Sequence, residues 1–210
     1  MLKKYKHISF DLDGTLVHTL PEYRYQLLPK IAKALRGRVP TSRDIDRFWF
    51  ESARDEIILK NFGFDPIDFW KIFREMDDPK ERAFNTSAYL DSEIALRKLK
   101  KDGKIVSIIT GVPHNIAELE MKKLNGASLD YYLSIFERGF KEKPSPESFK
   151  FVLQELKIGP EETVYIGNSN EDAYFAKNTG VDFIYLERQQ HEFDSKDWII
   201  KTIRSLEELF

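Results

Sequence analysis

Ile8-Ser9-Phe10-Asp11-Leu12-Asp13-Gly14-Thr15-Leu16 decides the fold of this chain. An apolar run rises out of a basic N-terminus and stops in two carboxylates, a glycine and a threonine, the pattern of a buried strand breaking into a loop. Side chains two apart on extended backbone point the same way, so Asp11 and Asp13 present their carboxylates to one pocket while Leu12 faces elsewhere. Gly14 lets the chain turn away through backbone angles that other residues avoid. Two acids this close resist joint ionisation unless a cation lies between them or one keeps a proton. An oxygen-rich pair suits Mg²⁺, which takes few protein carboxylates and completes its shell with water and substrate phosphate. One carboxylate can then attack phosphorus while the other donates a proton to the departing alcohol. A helix-flanked calcium loop would carry its glycine sixth, whereas here glycine is fourth and follows a strand pattern.

Downstream of Leu16 the period changes from strand to helix. Tyr23, Leu27, Leu28, Ile31 and Leu35 predict a helix from Pro21 to a stop at Gly37. Ile45, Phe48, Trp49, Ala53 and Ile57 predict a second, entered through Thr41-Ser42 and closed near Gly63. Phe69, Trp70 and Phe73 mark a third over 67–76. Aromatic stripes at this spacing read as the seam of a small helical bundle, so residues 17–84 form a helical insertion. From residue 85 helix and strand alternate, which predicts a parallel sheet covered by helices. Strands are expected at 105–109, 131–136, 163–166, 183–186 and 198–203, with helices at 91–101, 114–124, 146–156 and 171–178.

Composition narrows the function classes. At 210 residues and 41% hydrophobic the chain can bury a sizeable core. A formal net charge of -2 gives no general pull toward a nucleic-acid polymer. With no cysteine, thiolate catalysis and cysteine-ligated zinc are excluded. The sequence shows neither a secretory apolar core nor a membrane-spanning run, so no membrane partner and a cytoplasmic location are expected.

In an open parallel sheet the ligand crevice lies outside the carboxyl ends of the strands. Three expected strands end in polar loops there: Asp11 to Thr15, Thr110-Gly111, and Gly167 to Asp172. Lys143-Pro144, a cation followed by a rigid turn, lies between the last two.

These four segments, in this order, resemble the motifs of the haloacid dehalogenase-like superfamily, and the resemblance covers essentially the whole chain. It implies an α/β fold with a Rossmann-like parallel core, residues 1–16 and 85–210, helices on both faces, and a helical cap inserted at 17–84. It further implies that Asp11 is the nucleophile and an Mg²⁺ ligand, and that Asp13 is the general acid and base, giving the metal its backbone carbonyl. Gly14, Thr15, Thr110 and Gly111 would bind substrate. Lys143 would neutralise charge on Asp11 and the transferring group, and Asn168 and Asp172 would complete the metal site. The implied activity is an Mg²⁺-dependent phosphomonoesterase acting on a small phosphorylated metabolite through an aspartyl-phosphate, phosphoglycolate phosphatase among the possibilities. A phosphoglucomutase-like transferase, a 2-haloacid dehalogenase and a non-catalytic binding protein remain alternatives, with Asp13 counting against the dehalogenase. One departure stands out: the fourth motif usually has aspartate where this chain has Asn168. That substitution removes one negative charge from the metal's surroundings, and Asp172, helped less by Glu171, is expected to make up the deficit.

Overall fold

The computed structural model describes residues 2–51, 53–188 and 193–210. The first strand, β1 (His7–Phe10), is buried along its whole length. It is joined by β4 (Ile105–Thr110), β5 (Tyr131–Ser134), β6 (Thr163–Gly167), β7 (Asp182–Leu186) and β8 (Ile199–Ile203) in one sheet of order β5-β4-β1-β6-β7-β8. Every pairing is parallel, with Phe10 beside Ile108 on one flank and Ile166 on the other. The chain leaves β1 toward β4 and β5, then returns past β1 to build β6, β7 and β8. The order therefore reverses at β1, and the crevice of such a sheet opens at that strand's carboxyl end.

Alternation along the strands assigns each side chain to a face. Ile8, Phe10, Val106, Ile108, Val164, Ile166, Ile184 and Leu186 pack in one cluster with Ala95, Leu96 and Leu99 of α6 (Leu90–Lys101) and Ile116 and Ala117 of α7 (His114–Met121). Ile109, Leu133, Tyr165, Phe183 and Tyr185 pack on the other face. Their partners are Phe149, Val152 and Leu153 of α8 (Glu147–Leu156) and Ala173, Phe175 and Ala176 of α9 (Asn170–Thr179). Helices thus cover both faces, and each large apolar side chain withdrawn from water contributes about 1.5–3 kcal/mol.

Two compact units result, Met1–His18 with Ser87–Phe210, and Thr19–Thr86. The chain passes between them through a two-stranded ribbon of β2 (Val17–Thr19) and β3 (Thr86–Ala88), segments too short to announce themselves by periodicity. The helical unit holds α1 (Pro21–Ala34), α2 (Ser42–Phe50), α3 (Arg54–Ile57), α4 (Pro66–Met76) and α5 (Pro79–Phe84). The expected seam is its core: the Phe48 ring lies 5.3 Å from Phe69, 5.6 Å from Trp70 and 5.9 Å from Phe73. Two expectations are corrected. The helix predicted over 42–63 is interrupted, because Glu51 is extended (φ -92°, ψ 149°), and resumes at Arg54. Gly37 is not the left-handed helix stop; Arg36 takes that conformation (φ 56°). Glycine is needed at 37 because a Cβ there would lie 2.1 Å from the Phe64 ring.

Candidate active site

Asp11 follows β1 directly and stays in register, its N–H donating to the Ile166 carbonyl at 3.0 Å. The chain then curls around the Leu12 carbonyl, which accepts from the amides of Thr15, Leu16 and Val17 at 3.2, 2.9 and 3.1 Å. Gly14 closes the curl at φ 81°, a conformation that side chains with a Cβ resist. Leu12 is fully buried as the plug of this loop, Asp11 is nearly so, and Asp13 is half-buried.

Lys143 reaches this loop from the segment before α8. Its ammonium donates to Asp11 Oδ1 at 2.7 Å, Asp172 Oδ1 at 2.9 Å and the Tyr165 hydroxyl at 2.7 Å. An ammonium carries three N–H groups, so all three have acceptors. Asp172 lies in the first turn of α9, where Ser169 caps the helix in a reciprocal capping box. Asp172 Oδ2 accepts from the amides of Asn168 and Ser169, both at 3.2 Å, and from Ser169 Oγ at 2.8 Å. Gly167 is required beneath it, since a Cβ there would come 2.6 Å from the Asp172 carboxylate. The Tyr165 hydroxyl donates to the Ile109 carbonyl at 3.1 Å.

Burial and charge oppose each other here. Burial pushes the Asp11 carboxyl up, to about 7, with Lys143 pulling the other way and Asp172 adding to the rise. Burial disfavours the Lys143 ammonium, yet Asp11 and Asp172 outweigh it and hold the amine well above its ordinary range, so Lys143 keeps its proton. Burial also keeps the Tyr165 phenol protonated, well above its ordinary range.

Thr15 lies on the side of Asp11 away from Lys143. Its hydroxyl is 3.4 Å from Asp11 Oδ2 and 3.5 Å from Asn168 Oδ1. The Asn168 amide is buried, and its Nδ2 has no hydrogen-bond partner. The Thr15 hydroxyl is thus the link between Asp11 Oδ2 and the Asn168 amide oxygen. Among the described residues no group of three histidine or acidic side chains is disposed to hold a metal. The oxygens that meet around the Thr15 hydroxyl are those of one carboxylate, Asp11, and one amide, Asn168. Oxygen donors of this kind could hold a hard cation such as Mg²⁺.

Thr110 ends β4 beside β1, and its Oγ1 accepts from the Val112 amide at 3.1 Å, which leaves its proton available to a ligand. Ser134 braces the same loop by donating to the Val112 carbonyl at 2.8 Å. Gly111 follows Thr110 at the surface, and a Cβ there would meet nothing within 4 Å.

The structure brings Asp11, Thr15, Lys143, Asn168 and Asp172 together by direct contacts, and sets Thr110 and Gly111 at the adjoining strand end. Asp13 and Gly14 share the Asp11 loop. Both oxygens of Asp172 accept bonds from protein donors, with the lysine on one side and the helix cap on the other. Sequence reasoning missed Tyr165. Its signal was a tyrosine within a strand buried on both faces, where the hydroxyl must find a partner.

The profile of the haloacid dehalogenase-like hydrolases matches residues 8–186. A phosphoglycolate phosphatase of Pseudomonas putida is 23% identical over 212 residues, covering 95% of this chain and 77% of its own. A glyceraldehyde 3-phosphate phosphatase of Pyrococcus furiosus is 28% identical, covering 89% of this chain and 82% of its own. Among solved structures, a haloacid dehalogenase-like hydrolase from Bacteroides fragilis superimposes with a TM-score of 0.82 at 23% identity, over 98% of this chain and all of the other.

Proposed function

The chain belongs to the haloacid dehalogenase-like hydrolases, and we propose that it is an Mg²⁺-dependent phosphomonoesterase of small phosphorylated metabolites. The observation that carries the reading is the asymmetry of Asp11, whose Oδ1 is bound by Lys143 while Oδ2 faces the Thr15 hydroxyl, itself 3.5 Å from Asn168 Oδ1. Phosphoryl transfer needs a positioned oxygen nucleophile and compensation for charge on the phosphoryl oxygens, and little else from the protein. Asp11 Oδ2 attacks phosphorus. Asp13 gives a proton to the departing alcohol and later takes one from the water that hydrolyses the aspartyl-phosphate. Thr110 and the Gly111 amide hold phosphoryl oxygens, and Lys143 holds the carboxylate in its charged, oriented form. Asp11, the Asp13 carbonyl and Asn168 would hold Mg²⁺, which when bound supplies charge neutralisation at the phosphoryl oxygens. Asp172 serves Lys143 and the α9 cap.

The helical unit Thr19–Thr86, inserted just after the Asp11 loop, is assigned the cap role of selecting the alcohol and excluding water. The names of the relatives favour a small phosphate ester, phosphoglycolate among them. Among the described residues no helix is long and apolar enough to cross a membrane. The test is phosphate release from p-nitrophenyl phosphate and a panel of small esters, with Mg²⁺ and with EDTA. Turnover is expected only with Mg²⁺, and Asp11→Asn is expected to lower it by about a thousandfold or more. No turnover of any ester by folded protein would reject the reading.

A further inference from the structure

We propose that Tyr165 is a positioning residue that fixes the Lys143 ammonium and thereby decides which oxygen of Asp11 is left to react. The inference rests on the reading of Asp11 and Lys143 given above. Packing gives no reason for a hydroxyl at 165. The ring sits among Phe149, Phe175 and Phe183, with centroids 5.2, 5.5 and 6.3 Å away, and phenylalanine would fill the same space. A phenol oxygen in such surroundings costs free energy unless it is bonded.

All three of its polar contacts lead into the site, the weakest being Asp172 Oδ1 at 3.4 Å. It accepts from Lys143 at 2.7 Å and donates to the carbonyl of Ile109, the residue before Thr110, at 3.1 Å. The hydroxyl thus ties the lysine to the strand end that carries Thr110. The other two Lys143 protons go to Asp11 Oδ1 and Asp172 Oδ1. With three acceptors fixed, the ammonium cannot rotate or swing between the carboxylates, so Oδ1 of Asp11 stays covered and Oδ2 stays open toward Thr15 and Asn168. Removing the hydroxyl frees one N–H, loosens the ammonium and lets both oxygens of Asp11 compete for it.

The test is Tyr165→Phe in the full chain, with p-nitrophenyl phosphate and Mg²⁺. We expect kcat to fall about tenfold while KM changes by less than about twofold, because the loss concerns orientation of the nucleophile and not substrate binding. A second readout is independent of turnover: the ¹H–¹⁵N correlation of lysine ammonium groups. A slowly exchanging Lys143 signal, identified by its loss in Lys143→Gln, is expected in the wild type, shifted and faster-exchanging in Tyr165→Phe. Should Tyr165→Phe not fold, Tyr165→3-fluorotyrosine keeps ring and hydroxyl, weakens the oxygen as acceptor, and moves the signal the same way. A purely structural tyrosine would lower the melting temperature and leave both readouts unmoved. An unchanged kcat in an active protein, an unmoved ammonium signal, or no resolved Lys143 signal in the wild type overturns the assignment. An inactive wild type rejects the phosphatase reading instead, and the ammonium signal alone then decides the role of Tyr165.

Discussion

The same three strands bury polar groups at both ends and treat them oppositely. At the amino end, Thr163 donates to the Gly159 carbonyl, and both ring nitrogens of His7 are hydrogen-bonded, Nδ1 with Thr163 Oγ1 at 3.2 Å and Nε2 with Ser107 Oγ at 2.7 Å. Ser107 Oγ is 2.8 Å from Ser9 Oγ, and all four side chains are fully buried. This cluster is neutral and closed: burial lowers His7 to about 4 and each ring nitrogen has a partner. At the carboxyl end, Asp11, Lys143 and Asp172 are also buried, but here two carboxyl groups share one ammonium. A fold stabilises its interior by neutral, saturated networks, and ions retained there mark the place where charge is used.

That contrast is most strongly broken at Lys143. Lys143→Met leaves Asp11 and Asp172 without their cation, and unfolding in urea should show a loss of about 3–5 kcal/mol together with loss of turnover. His7 tests the neutral end by pH. The folded side chain binds a proton only near pH 4, whereas the unfolded one does so near 6.5. Acidification through that window therefore favours the unfolded chain, and His7 should withdraw about 3 kcal/mol of stability by its lower edge. Urea unfolding at a series of pH values should show this slope, and His7→Gln should flatten it. The smallest effect is expected at Asn168. Asn168→Asp adds the charge the site lacks and should tighten Mg²⁺ binding about tenfold, or about 1.4 kcal/mol, by isothermal titration calorimetry. It should also lower the melting temperature of the metal-free protein, since it faces Asp11 across Thr15.

The parts of this comparison that were legible in the sequence are those written in local pattern. Asp11-Leu12-Asp13-Gly14-Thr15 announced both the end of β1 and a site, because a strand buried on both faces has no other use for two carboxylates. The order of the four motifs brought Thr110, Lys143 and Asn168 to neighbouring strand ends through the logic of a parallel sheet. What was not legible depended on pairings distant in sequence. Nothing near Tyr165 says that its hydroxyl meets a lysine 22 residues earlier, and nothing near Asp172 says that its carboxylate is filled by its own cap. Gly37 looked like a helix stop because glycine serves that purpose often, whereas its reason is the Phe64 ring. The ribbon of β2 and β3 escaped because three residues carry no period.

The central claim, that Asp11 carries the phosphoryl group, is tested most directly by trapping it. The protein is mixed with a turned-over ester and Mg²⁺, quenched in acid and reduced with borohydride, which converts an aspartyl-phosphate to homoserine. Peptide mass spectrometry should find homoserine at position 11 and unmodified aspartate at position 13. Turnover with Asp11 unmodified, or with the label at another residue, would contradict the account.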